Sequence, residues 1–247
     1  METFLIVLAI LLFVAGLITG IILLVRHQEK VRREALQEFA DSLGLEFHAK
    51  GHSKIQSRIA GFKLFNLGDS RKMKNVICGE TEVVSVAIFD YQYSTSAGNS
   101  HTTHSQTVVA MEARGLEIPT FTMRPERFID RFGSMLGFQD IDFDDHPEFS
   151  KMFVLKGENE TQIRDFFDRP LLDFFATRKG ISFEGGASPG EKAEEFSPAI
   201  GQQERTGRFI YFKGGKPVKP EELRDLLNQG YSVYAAFMER LQRGGAN

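Results

Sequence analysis

From Phe4 to Val25 the chain reads FLIVLAILLFVAGLITGIILLV, 22 residues without a charge. As a helix that stretch spans ~33 Å, enough to cross the hydrocarbon core of a bilayer. A cleaved signal peptide would have a basic start, a shorter apolar run and a small-residue cleavage site. Here Glu2 precedes the run and Arg26 follows it, so residues 1–25 are expected to be an uncleaved transmembrane anchor. Arg26, Lys30, Arg32 and Arg33 lie just beyond it. The positive-inside bias then places the amino terminus outside and the rest of the chain in the cytoplasm. The same four cations are candidates for contact with anionic lipid at the membrane surface. Gly16 and Gly20 form a GxxxG pattern inside the span, a spacing that lets two helices approach closely and makes homodimerisation through this face a second possibility.

Past the span, the chain is 42% hydrophobic overall, with 23 Phe and no Trp, so a real core built largely from phenyl rings is expected. The net charge of -3 provides no basic field for nonspecific nucleic-acid binding. Cys78 is the only cysteine, which rules out an intrachain disulfide and a Cys-rich zinc site, and a reducing compartment fits.

Two cytosolic segments are expected. In the first, 26–137, Val31, Ala35, Phe39 and Leu43 recur every four residues and predict an amphipathic juxtamembrane helix stopped by Gly44. Strands are predicted at 45–49, 61–67, 74–80 and 116–123, with a hairpin of 82–95 and 101–113 around the tip SAGNS. RPERFIDRFGSML then reads as a closing helix, with Pro125 in its first turn and Arg124, Arg127 and Arg131 on one face. The second segment, 138–247, begins with extended runs at 140–143 and 149–155. A helix divided at Pro170, strands at 181–185 and 207–214, and a final helix from Pro220 follow. That helix is expected to bury Leu223, Leu227, Tyr231, Tyr234, Met238 and Leu241. Residues 185–195 have the composition of a mobile loop. Strands and helices without regular alternation give an α+β class with a mainly antiparallel sheet and several helices.

The strongest chemical candidate is DIDFDDHPEFS, 140–150. On a strand, Asp140, Asp142 and Asp144 would share a face while Ile141 and Phe143 pack inward. With His146 they are candidate metal ligands or acid/base groups of a membrane-tethered, metal-dependent hydrolase. As an EF-hand the stretch fails, with Asp145 where Gly is needed and Lys151 where a bidentate Glu is needed. The structural reading is favoured: Arg124, Arg127 and Arg131 form ion pairs with these acids, clasping helix to hairpin, and His146-Pro147 make the turn. His101 and His104 are separated on a strand and are expected at a solvated tip. Cys78 is expected to be a buried, inert thiol. No phosphate loop or nucleophile elbow is complete, and no catalytic residue or cofactor is assigned.

IFDYQYS (88–94), LEIPTFTMRPE (116–126) and DIDFDDHPEFSKMFVLKGENETQIRDFF (140–167), in that order behind one membrane span, resemble a family of uncharacterised bacterial single-pass membrane proteins. The resemblance implies a plasma-membrane protein with a cytosolic domain and transfers no catalytic residue. The expected role is membrane-anchored binding or scaffolding, with the lipid bilayer and an unidentified protein as partners.

Overall fold

The computed structural model describes residues 1–98, 100–126, 140–186 and 206–244. One helix, α1 (Glu2–Ser42), includes the apolar run and the amphipathic segment without a break. At 41 residues it is ~60 Å long. Its most apolar window is wholly exposed in the isolated chain, whereas Leu36 and Ala40 near its far end are buried. The helix ends in a Schellman motif: Leu45 N–H donates to Ala40 O (2.9 Å), Gly44 N–H to Asp41 O (3.2 Å), and Gly44 takes the left-handed φ of 66° that this stop requires.

The strands are β1 (Glu46–Lys50), β2 (Asp69–Glu80), β3 (Val84–Ala97), β4 (Ser100–Arg114), β5 (Phe121–Pro125), β6 (Phe153–Gly157), β7 (Ser182–Gly185) and β8 (Thr206–Phe212). They make one eight-stranded sheet in the order β1-β2-β3-β4-β8-β7-β5-β6, and the assigned pairings are all antiparallel. Strands from 26–137 and 138–247 therefore interleave: β8 adjoins β4, and β5 lies between β7 and β6. Both segments also contribute to one core cluster.

Alternation along the strands sends neighbours to opposite faces. Ile77, Ile88, Val109 and Tyr211 belong to a cluster with Leu36 and Ala40 of α1. Cys78, Phe89, Val108 and Ile210 belong to a second cluster with Ile55 and Ile59 of α2 (Ser53–Ile59). The α1 face also carries α3 (Pro147–Ser150), α4 (Glu160–Phe166), α5 (Arg169–Ala176) and α6 (Leu223–Gly244), whose buried side chains join that first cluster. The division at Pro170 is as expected, with Pro170 in the first turn of α5 and Asp168 capping it by accepting from Leu171 N–H (3.1 Å).

Several expectations are corrected. Residues 61–67 do not form a strand: Lys63–Asn66 is a 3-10 turn, held by Asn66 Nδ2 donating to Ala60 O (2.9 Å) and Phe62 O (3.0 Å). Pro125 ends β5 opposite Phe153, and from residue 127 on the expected closing helix lies outside the described residues, as do 187–205. Phe149 is in the short helix α3 rather than an extended run. The inward face of α6 is Leu223, Leu226, Leu227, Gly230, Val233 and Phe237, while Tyr231 is exposed. Gly230 is a close-packing position, since a Cβ there would lie 3.0 Å from Tyr211 Cε1 and 3.2 Å from Met111 Sδ.

Candidate functional site

The junction between the long apolar helix and the body is built around Arg32 and Asp90. Arg32 lies on the side of α1 facing the sheet; its Nε and Nη2 donate to Asp90 Oδ2 (2.9 Å) and Oδ1 (2.8 Å), and its Nη1 donates to Val218 O (2.8 Å). Asp90, in the middle of β3, is 4% exposed. It also accepts from Asn75 Nδ2 and Thr107 Oγ1, both at 2.9 Å. Thr107 Oγ1 in turn accepts from Val218 N–H (2.9 Å). Asn75 reaches inward because β2 bulges between Lys74 and Ile77, where Asn75 takes a φ of 54°, a conformation Asn tolerates better than most residues. Of the four expected membrane-surface cations, Arg32 is thus committed to the protein. Lys30 lies 3.7 Å from Glu34 on the exposed side, and Arg26 and Arg33 are exposed. Lys74 of β2 reaches Glu29 of α1 at 2.8 Å and holds its carboxyl below the usual range. A groove of ≈ 520 Å³ lies at this junction between His27, Val31 and Ala35 of α1 and Pro220. Within the apolar run of α1, Gly16 and Gly20 have nothing within 4 Å of where a Cβ would stand.

Of the three arginines in the expected clasp on the acidic stretch, Arg124 is the one among the described residues. Ile141 and Phe143 are buried and Asp140, Asp142, Asp144, Asp145 and Glu148 are exposed, so the alternation is as read. Arg124, however, is on β5 rather than a helix, is 1% exposed, and pairs with Glu184 of β7. Its Nη1 also donates to Phe183 O (3.1 Å), and its guanidinium lies 4.9 Å from the Phe212 ring centre. Glu184 Oε1 accepts in addition from Leu64 N–H at 3.0 Å. Arg127 and Arg131 lie outside the described residues. His146 is not presented to a metal with the aspartates: Nδ1 accepts from Phe149 N–H (3.2 Å) as the cap of α3, and Nε2 meets Asp173 at 2.8 Å. With Nδ1 accepting, Nε2 carries the proton and donates to that carboxylate. Asp140 turns one oxygen back to Leu155 N–H (3.2 Å); desolvation and then the charge of Asp142 push its carboxyl up.

Among the described residues, three metal-ligating side chains do converge elsewhere. His48 on β1, His52 at the entrance to α2 and Cys78 on β2 bring one donor atom each to within 4.8 Å of one another. The antiparallel register sets Glu46 opposite Cys78 and His48 opposite Val76, so His48 and Cys78 share a face. The imidazole centres of His48 and His52 are 4.6 Å apart in an edge-to-face arrangement. His52 Nδ1 accepts from Ile55 N–H at 3.4 Å, and His48 Nε2 lies 3.2 Å from Glu46 Oε2. Cys78 is buried, as expected, and that burial, followed by the charges of Glu46 and Glu80, pushes its thiol up. No histidine lies near Cys78 along the sequence, but the fold brings two to it. The available signal was HAKGH (48–52), four apart, beside a strand containing Cys78.

The other histidine pair stays apart. His101 meets Ser96 and His104 meets Thr95, each at 2.8 Å, from positions of opposite parity on β4. No protein-family description matches the chain, and no curated protein does. Among solved structures, the chain is similar to the crystal structure of the mycobacterial trehalose monomycolate transport factor A, TtfA. The TM-score is 0.46 at 13% identity, over 85% of this chain and 93% of that one.

Proposed function

We propose that this chain is a bacterial plasma-membrane protein with one span and its amino terminus outside, whose cytosolic body binds or scaffolds a protein partner at the inner membrane surface. The observation that carries this reading is the continuity of α1 from an exposed apolar span to a far end docked on the sheet, pinned midway by Arg32 on buried Asp90. A tethered enzyme works equally well on a loose linker. A helix without a break and with a charge-paired pin instead fixes the height and orientation of the body above the bilayer, as a scaffold requires. The cations Arg26, Lys30 and Arg33 add electrostatic attraction to anionic lipid, of about 1 kcal/mol for each charge near the surface.

The test has two arms. In the native host, the full chain should stay with membranes through an alkaline wash, and a carboxy-terminal reporter should be active only in its cytoplasmic form. Crosslinking in intact membranes should capture a defined partner, and that capture should weaken when a flexible Gly/Ser insert after Arg26 frees the body from the span. Release by the wash, or a reporter active on the outer side, overturns the anchor. Undiminished partner capture with the flexible insert overturns the scaffold. Homodimerisation of the span is tested by a self-association reporter, whose signal should drop with Gly16→Ile and Gly20→Ile.

A further inference from the structure

We propose that His48, His52 and Cys78 form a binding site for a thiophilic divalent transition-metal ion of the zinc class. The proposal is independent of the membrane anchor and of any partner. It rests on three donor atoms from three separate elements that already lie within 4.8 Å of one another. Around a tetrahedral zinc ion, bonds of ~2.0–2.1 Å to nitrogen and ~2.3 Å to sulfur put ligand atoms roughly 3.5 Å apart. Side-chain rotations of about an ångström therefore close the set.

The donor types select the ion. A thiolate with two imidazoles suits zinc and its softer neighbours, whereas magnesium and calcium prefer oxygen. Three protein ligands leave a fourth position for water, and His48, with 38% of its side chain exposed, leaves the site open to ions from solvent. Glu46 supplies an orienting contact. By accepting a hydrogen bond from His48 Nε2–H it fixes the tautomer whose Nδ1 lone pair is free for the metal. On binding, the Cys78 S–H bond breaks, its electron pair forms the metal–sulfur bond, and the proton leaves to solvent.

His52 gives the site a structural consequence. In the apo protein its Nδ1 accepts from Ile55 N–H and caps α2. A neutral imidazole that binds a metal through one nitrogen carries its proton on the other, so in either mode Nδ1 can no longer accept that hydrogen bond. Occupancy must therefore release the Ile55 amide at the start of α2, the helix that covers Cys78 on the second face of the sheet.

The experiment uses the full chain in detergent micelles, stripped with a chelator and titrated with Co²⁺ as a spectroscopic stand-in. One equivalent should produce a thiolate-to-cobalt charge-transfer band and the intense visible bands of a tetrahedral ion. Zn²⁺ should bleach both and Mg²⁺ should not. His48→Gln and His52→Asn should each weaken Co²⁺ binding at least tenfold, and Glu46→Gln by about tenfold. His52→Asn keeps a residue that caps well, so its effect is not one of folding. Cys78→Ser should remove the charge-transfer band. Should that variant not fold, the two histidine substitutions, at partly exposed positions, decide the matter. Zn²⁺ should also speed hydrogen exchange at the Ile55 amide. The proposal is overturned if the charge-transfer band never forms. It is equally overturned if the band survives undiminished in the His48→Gln/His52→Asn double variant, which would mean that the metal meets the thiol alone.

Discussion

Removing the Asp90 carboxylate is the sharpest test of how the body is fixed to α1. Asp90 accepts four hydrogen bonds at 2.8 to 2.9 Å, two from Arg32 and one each from Asn75 and Thr107. In Asp90→Ala all four donors lose that partner. Breaking a buried pair by deleting one member costs about 3–5 kcal/mol, because the remaining charge is left uncompensated. Two features reduce that figure. Arg32 keeps its bond to Val218 O, and 21% of its side chain is exposed, so water can solvate part of the charge. The expected loss is about 2–4 kcal/mol, which for a body of this size lowers the melting temperature by about 4–16 °C. The assay is thermal unfolding of the full chain in nanodiscs, as a double-mutant cycle with Arg32→Gln. A coupling above about 1.5 kcal/mol is expected between the two positions. Raising salt should change it little, since Asp90 is buried. A coupling below about 0.5 kcal/mol would refute the pin, and with it the argument for a fixed body.

Arg124→Met and Glu184→Leu should each destabilise by about 3–5 kcal/mol, whereas the double substitution should recover most of the loss, as urea unfolding will report. His146→Ala should cost about 1 kcal/mol by uncapping α3 and His146→Asn much less, a difference readable as a shift in denaturation midpoint. Burial pushes the Tyr91 phenol up to about 12 from 10.0, opposed by the charge of Arg71. Because the neutral form is favoured in the fold, this stabilisation is complete below the unfolded value near 10 and is lost as pH rises towards 12. Phenolate absorbance compared with Tyr91→Phe should place that titration, and a normal value near 10 would contradict the burial.

Local signals were sufficient where neighbours in sequence are neighbours in space. The β3–β4 hairpin, the stop at Gly44 and the break at Pro170 were all legible, since a turn, a cap or a missing N–H acts over a few residues. Residues 61–67 were not. Phe62, Leu64, Phe65 and Leu67 are all buried, and their spacing fits a strand as well as a three-residue turn. What supports the turn from outside is distant: Leu64 N–H donates to Glu184, 120 residues away. That misreading hid the cluster around Cys78, because a strand at 61–67 would separate 45–49 from 74–80. With a 3-10 turn there, β1 and β2 are neighbours and Glu46 faces Cys78.

The sequence by itself determined a long apolar helix with cations behind it, an α+β body rich in antiparallel strands, and a core of phenyl rings, because hydropathy, periodicity and volume are properties of the chain. Only the tertiary structure decided which charges are spent and which are free. Arg32 looked like a membrane cation and Arg124 like part of an acidic clasp, but each sits against a carboxylate far along the chain, Asp90 and Glu184. Ion pairing and metal ligation depend on distances of a few ångströms between side chains. Strand order, not sequence spacing, sets those distances.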